Sequence, residues 1–160
     1  MDDRGLLASY HAAAWTVETP DGPLAVRPGR SAPAPLRPSA IVTAFNPESH
    51  PAGAAANHRA DAALLGRIAA LGLRAHRTLA HGAGDDAEAW DEPGWCIPGG
   101  VRAEAVRLGA DFGQNAIVWI DAAGEVTIVC TREGFCGARV GEVLEAEVGS
   151  KGDSGIEPGG

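Results

Sequence analysis

Apolar residues recur at helical spacing in two places along the chain. Ala60, Leu64, Ile68 and Leu71 lie at offsets 0, 4, 8 and 11, with Arg59, Asp61 and Arg67 elsewhere around the turn. This is the single stripe of a helix that buries one face, and Gly72 supplies its C-terminal cap. Val101, Ala105, Leu108 and Phe112 repeat at offsets 0, 4, 7 and 11 and predict a second helix. Between and around them the pattern has the period of strands. Residues 39–45 are mostly apolar and end at Asn46-Pro47. Residues 73–79 alternate Leu or Ala with longer polar side chains, and residues 95–97 make a short apolar run. Residues 116–120 and 126–130 flank the turn 121–124 and predict a hairpin. At the front of the chain, residues 10–17 and 24–26 flank Thr19-Pro20-Asp21-Gly22-Pro23, which predicts a hairpin, or a strand after a short helix. Residues 28–38 contain Pro28, Pro33, Pro35 and Pro38. Proline fixes φ and removes backbone donors, so this stretch is expected as an extended linker.

The middle of the chain thus runs strand, helix, strand, strand, helix, strand, with one more strand after it. That order predicts an α+β domain: a ferredoxin-like split βαβ sheet with two helices on one face, plus an N-terminal hairpin and an extra C-terminal strand. The domain is expected to span residues 1–132. Beyond that the apolar pattern fades, and residues 133–160 are expected as an acidic, flexible C-terminal tail, with at most a short helix near 140–148.

This topology has a consequence for the polar residues. If the strand 39–45 points up, the strand 116–120 comes down beside it. Asn46 and Ser49 then leave the top of one strand, and Gln114 and Asn115 enter the top of its neighbour. Asn57 at the start of the first helix, the loop 81–94 and Arg132 after the last strand reach the same edge. The expected site is therefore Asn46, Ser49, Asn57, Gln114, Asn115 and Arg132. Asn and Gln offer both donors and acceptors, and the helix start with Arg132 adds positive charge, so a small polar or anionic ligand is expected. Asn57 falls on the apolar side of its helix and must find partners there. The structural alternative gives the same residues duller roles: Asn46-Pro47 as a turn initiator, Ser49 as a helix cap, and Gln114 and Asn115 as ties across a tight turn.

Composition narrows the function classes. The chain has 160 residues with a net charge of −8, and residues 133–160 carry six acids against two bases. An acidic protein repels a phosphate backbone, so no nucleic-acid partner is expected. No apolar run is long enough to span a membrane, so no membrane partner is expected either. The acidic start Met-Asp-Asp-Arg does not resemble a secretory signal. Cys96, Cys130 and Cys136 are the three cysteines, an odd number without C-x-x-C spacing. Free thiols and a cytoplasmic location follow as expectations.

Chemistry beyond the amides is sparse. His81 with Asp85 and Asp86 has only a loose metal-ligand look, and no metal or cofactor is expected. No P-loop, G-x-G-x-x-G or G-x-S-x-G is present. Catalytic residues are not assigned. An enzyme acting on a nucleotide-like metabolite would need a base from Asp85, Asp86, His81 or Glu48. The third possibility is a protein-interaction module in which the amides are only structural.

Phe45-Asn46-Pro47-Glu48-Ser49, then Asn57, then Phe112-Gly113-Gln114-Asn115-Ala116-Ile117-Val118-Trp119 together resemble a bacterial domain of unknown function, family 3293. The resemblance covers roughly residues 10–132. It implies a soluble bacterial protein and carries no established activity.

Overall fold

The computed structural model describes residues 2–82, 91–99 and 102–146. These form a mixed α+β fold with three helices and one seven-stranded antiparallel sheet. In chain order the elements are α1 (Asp3–Ala12), β1 (Ala14–Thr19), β2 (Gly22–Val26), β3 (Ser39–Val42), α2 (Ala54–Ala70), β4 (His76–His81), β5 (Asp91–Pro98), α3 (Arg102–Asp111), β6 (Ala116–Ile120) and β7 (Val126–Cys130). The strands lie in the order β2-β1-β4-β5-β3-β6-β7. Among the described residues, no helix is long and apolar enough to cross a membrane.

Alternation along the strands builds two cores, one on each side of the sheet. All four residues of β3 are buried. Ala40 and Val42 face α2 and α3, where they meet Leu64, Ile68, Ala105 and Leu108, whereas Ile41 faces the other way. Strand β6 repeats the division, with Ile117 on the helix side and Val118 and Ile120 on the other. The second core takes in Val26 from one edge strand and Ile128 from the other, so the sheet curls around it. No long helix fills that concave side. It is closed by α1 through Leu7, by Ala32 and Leu36, and by Phe135 and Leu144.

Several expectations change. The helix α1 is present in place of the start of the first apolar run; Asp2 caps it by accepting from Gly5 N–H at 2.8 Å. The stripe on α2 stops at Ile68. Leu71 is 48% exposed, and Leu73 packs in its stead after a reversal at Gly72 (φ +75°). Strand β3 ends at Val42, earlier than residue 45, because the Thr43 hydroxyl donates to Pro93 C=O and accepts from Phe45 N–H, diverting the chain from the ladder. Strand β4 begins at His76 and β5 extends back to Asp91. The proline-rich stretch is no loose linker: it turns at Ala34–Leu36 and buries Leu36.

The expected tail also departs from its reading. Residues 133–146, the described part of that stretch, pack against the outer strand. Phe135 is 0% exposed and Leu144 5%. Leu144 N–H donates to Ile128 C=O and Cys130 N–H to Glu142 C=O, both at 2.8 Å. This segment docks through isolated apolar residues and backbone pairing, so it shows no periodicity in the sequence; its described part holds one 3-10 turn, Phe135–Gly137, and no α-helix.

Candidate functional site

Beneath α1 the concave side of the sheet is not filled. A cavity of about 250 Å³ remains. Its lining includes short residues on three of the strands: Ala80 on β4, Gly94 on β5 and Ala116 on β6. Aromatic walls come from Tyr10 of α1, Trp15 of β1 and Phe45. Asn46, Ser49 and Gln114 line the same space.

The loop after β3 forms the rim, and its backbone is strained. Asn46, Glu48 and Ser49 have φ of 46°, 53° and 63°. Asn tolerates this left-handed region better than most residues, and the other two pay for it. Asn57 holds the conformation: its Oδ1 accepts from Asn46 N–H at 2.9 Å and its Nδ2 donates to Asn46 Oδ1 at 2.8 Å. Asn46 Oδ1 also accepts from Ala52 N–H at 3.1 Å. The buried amide of Asn57 thus finds its partners in the rim loop.

The two motif blocks lock into each other. Glu48 N–H donates to Gly113 C=O at 2.7 Å, and Gln114 Nε2 donates to Phe45 C=O at 3.1 Å. Gly113 has φ +72°, and a Cβ there would sit 2.9 Å from Pro47 Cβ, so both backbone conformation and close approach call for glycine. Asn115 is the next node. Its Nδ2 donates to Ser49 Oγ at 3.2 Å and to Tyr10 Oη at 3.4 Å, and the two hydroxyls lie 3.2 Å apart. Arg132 Nε donates to Asn115 Oδ1 at 2.6 Å and so fixes which way that amide points. The same guanidinium reaches Asp3 at 3.3 Å.

The strongest electrostatic feature lies outside the two motif blocks, on β5. On β5, alternation turns Glu92, Gly94 and Cys96 to the concave side and Trp95 and Ile97 to the helices. Glu92 therefore enters the cavity wall. Its one hydrogen-bonding partner among the described residues is Asn46 Nδ2, which donates to Oε2 at a long 3.5 Å. Burial pushes the Glu92 carboxyl from 4.5 up to about 7, with the Asn46 amide opposing weakly. Burial likewise raises the Tyr10 phenol, against the hydrogen bonds from Ser49 and Asn115. Across from Gly94, the buried Thr78 hydroxyl on the cavity wall has no hydrogen-bond partner among the described residues.

Five of the six residues expected at the sheet edge are linked there by hydrogen bonds, and Gln114 joins them through Phe45 C=O, in two tiers. Asn46, Ser49 and Gln114 line the cavity. Asn57, Asn115 and Arg132 stand behind them and hold them in place. Ser49 is no helix cap: α2 begins after Gly53 without a side-chain cap. The titratable cavity residues beyond these six are Tyr10 and Glu92. Glu92 sits in an acidic, glycine- and proline-containing stretch that reads as loop; the alternation through Gly94 to Cys96 is the signal that would have placed it. Of the candidate bases, Glu48 is exposed, and His81 is engaged by Asp91 at 3.0 Å and Thr16 at 3.1 Å. Asp85 and Asp86 lie outside the described residues. Among the described residues, no group of three or more His, Cys, Asp or Glu is placed to hold a metal ion.

Fold and site together define an α+β protein with two helices packed on one face of its sheet and a carboxyl-bearing cavity on the other. Residues 42–117 match the model of a family described as "Protein of unknown function (DUF3293)". This is the family that the two motif blocks resemble, and the matched span contains both Asn46 and Gln114. No curated protein and no solved structure matches the chain.

Proposed function

We propose that the protein binds a small ligand in the cavity between α1 and the concave face of the sheet. The observation that carries this reading is the convergence of a carboxyl group, six amide or hydroxyl side chains and three aromatic rings on one space of about 250 Å³. Ligand sites are mostly apolar concavities with a few placed polar groups, and this cavity has that make-up. The strained rim supports the same reading, since a left-handed backbone at Glu48 and Ser49 is retained where it aims side chains. The order β4-β5-β3-β6 with α2 and α3 as crossovers supports a ferredoxin-like split βαβ core. The site then lies where the two central strands meet their loops. Two buried free thiols, Cys96 and Cys130, support a cytoplasmic setting.

A thermal-shift screen against a metabolite library tests the reading, because a ligand that binds only the native state raises the melting temperature. Hits should lose their effect on the Ala116→Leu variant, whose added side chain enters the cavity. Hits that shift both proteins equally would place binding elsewhere.

One observation favours an enzyme as the second reading. A carboxyl group near pH 7 within a ligand cavity suits general acid–base work. Glu92 would then be the proton-transfer group. Incubating each hit with the protein and finding no change in its mass would leave binding as the function.

A further inference from the structure

The ligand's chemical class follows from what surrounds Glu92. Resting on the reading of the cavity as a ligand site, we propose that its ligand is a small organic cation, an amine or amidine on an apolar body, whose N–H groups pair with the Glu92 carboxylate. The amides and the first turn of α2 suggest a polar or anionic ligand when read from the sequence. The geometry turns that around. Arg132, the cation nearest the amide cluster, is spent on Asn115 and Asp3 and does not line the cavity. Among the described lining residues there is no Lys, Arg or His, and Tyr10 is the one other titratable group.

The carboxyl group is under-satisfied. A carboxylate accepts several hydrogen bonds, yet among the described residues Glu92 receives one, at 3.5 Å, from Asn46. No base among the described residues forms an ion pair with it: Arg67 pairs with Asp111, Arg77 with Asp61 and Arg132 with Asp3, and His81 hydrogen-bonds Asp91. A half-buried charge without a partner is costly and favours a protonated carboxyl. A bound cation supplies both the missing charge and the missing donors, and such charge-assisted pairs are the strong ones. Tyr10, Trp15 and Phe45 on the same walls supply aromatic surface, which suits an organic cation and covers its apolar body. A net charge of −8 adds long-range attraction of the same sign.

The test uses three flat probes of one shape: benzamidine (cation), benzamide (neutral) and benzoate (anion), titrated by calorimetry into the full chain. Benzamidine should bind at least about tenfold more tightly than either of the others. With Glu92 near pH 7, its affinity should rise about tenfold from pH 6 to pH 8 as the carboxyl ionises. At pH 6.5 binding should release a proton, seen as a heat that depends on the buffer. Glu92→Gln should remove the preference for benzamidine over benzamide. The proton-release measurement needs no variant, so the inference stays open to refutation if Glu92→Gln folds poorly. Equal binding of benzamide, or benzamidine binding that ignores Glu92→Gln, would overturn the cation class while leaving the cavity as a ligand site. No binding of benzamidine would overturn the cation class too; the library screen with Ala116→Leu decides separately whether the cavity binds anything.

Discussion

The two faces of the sheet are built from the same alternating strands and finished in different ways. On one face, α2 and α3 lower Leu64, Ile68 and Leu108 onto Ala40, Val42 and Ile117, and all of these are buried. On the other, the sheet curls around apolar residues from both of its edges, and the cover is assembled from α1, a proline-rich turn and the segment 135–144. That patchwork leaves a cavity and admits Glu92. Long amphipathic helices close a face completely; short pieces leave room. In this protein the packed face supplies stability, and the patchwork face keeps a polar group where burial perturbs it.

The comparison breaks first on stability. Leu64→Ala removes a fully buried side chain from the packed face and should cost about 2–5 kcal/mol in urea unfolding. Ala116→Leu adds atoms on the cavity face, where there is space, and should cost no more than about 1 kcal/mol. Equal losses would mean that the two faces are packed alike.

Next comes pH. The Glu92 carboxyl is raised from 4.5 to about 7 in the folded chain. The folded state therefore binds more protons than the unfolded state between those values, and stability falls as pH rises through that window. The full effect is at most about 3 kcal/mol, present below pH 4.5 and lost above pH 7. In Glu92→Gln that part of the slope should vanish, leaving the variant more stable than the parent at pH 8. An unchanged slope between pH 5 and pH 8 would mean that Glu92 is solvated and the cavity is wet and open.

The smallest effect concerns the rim. Asn46→Ala and Asn57→Ala each strand a polar partner and should cost about 1–3 kcal/mol. Because the two amides bond each other, the double variant should lose less than the sum, by at least about 0.5 kcal/mol in a double-mutant cycle. Strict additivity would show that Asn57 does not hold the rim. Gln114→Ala should then weaken ligand binding more than it lowers stability, since its amide lines the cavity.

Much of this was legible in the sequence, and the reasons differ by element. The stripe through Leu64 and Ile68 marked α2, and the hairpin of β6 and β7 was marked by a turn between two apolar runs. The edge cluster was legible because motif and topology agreed: one block leaves β3 and the other enters β6 beside it. The helix α1 was hidden because Leu7 is its one buried residue, so no stripe repeats. Glu92 was hidden because Gly94, which lets the chain pass close to Val42 C=O and Thr78, also makes the stretch look like a loop. Phe135 and Leu144 were hidden because a segment that docks by single residues has no period. What the pattern misses is the patchwork cover of the concave face, and the cavity is a property of that cover.

The measurement that tests the account most directly is an amide chemical-shift titration of the full chain with benzamidine. The account predicts shifts confined to the concave face: α1 near Tyr10, the rim at Phe45 and Asn46, Thr78 and Ala80 on β4, Glu92 and Gly94 on β5, and Gln114 and Ala116. Amides of α2 around Leu64 and Ile68 should stay still. Shifts centred on α2 and α3, or none in either place, would contradict it.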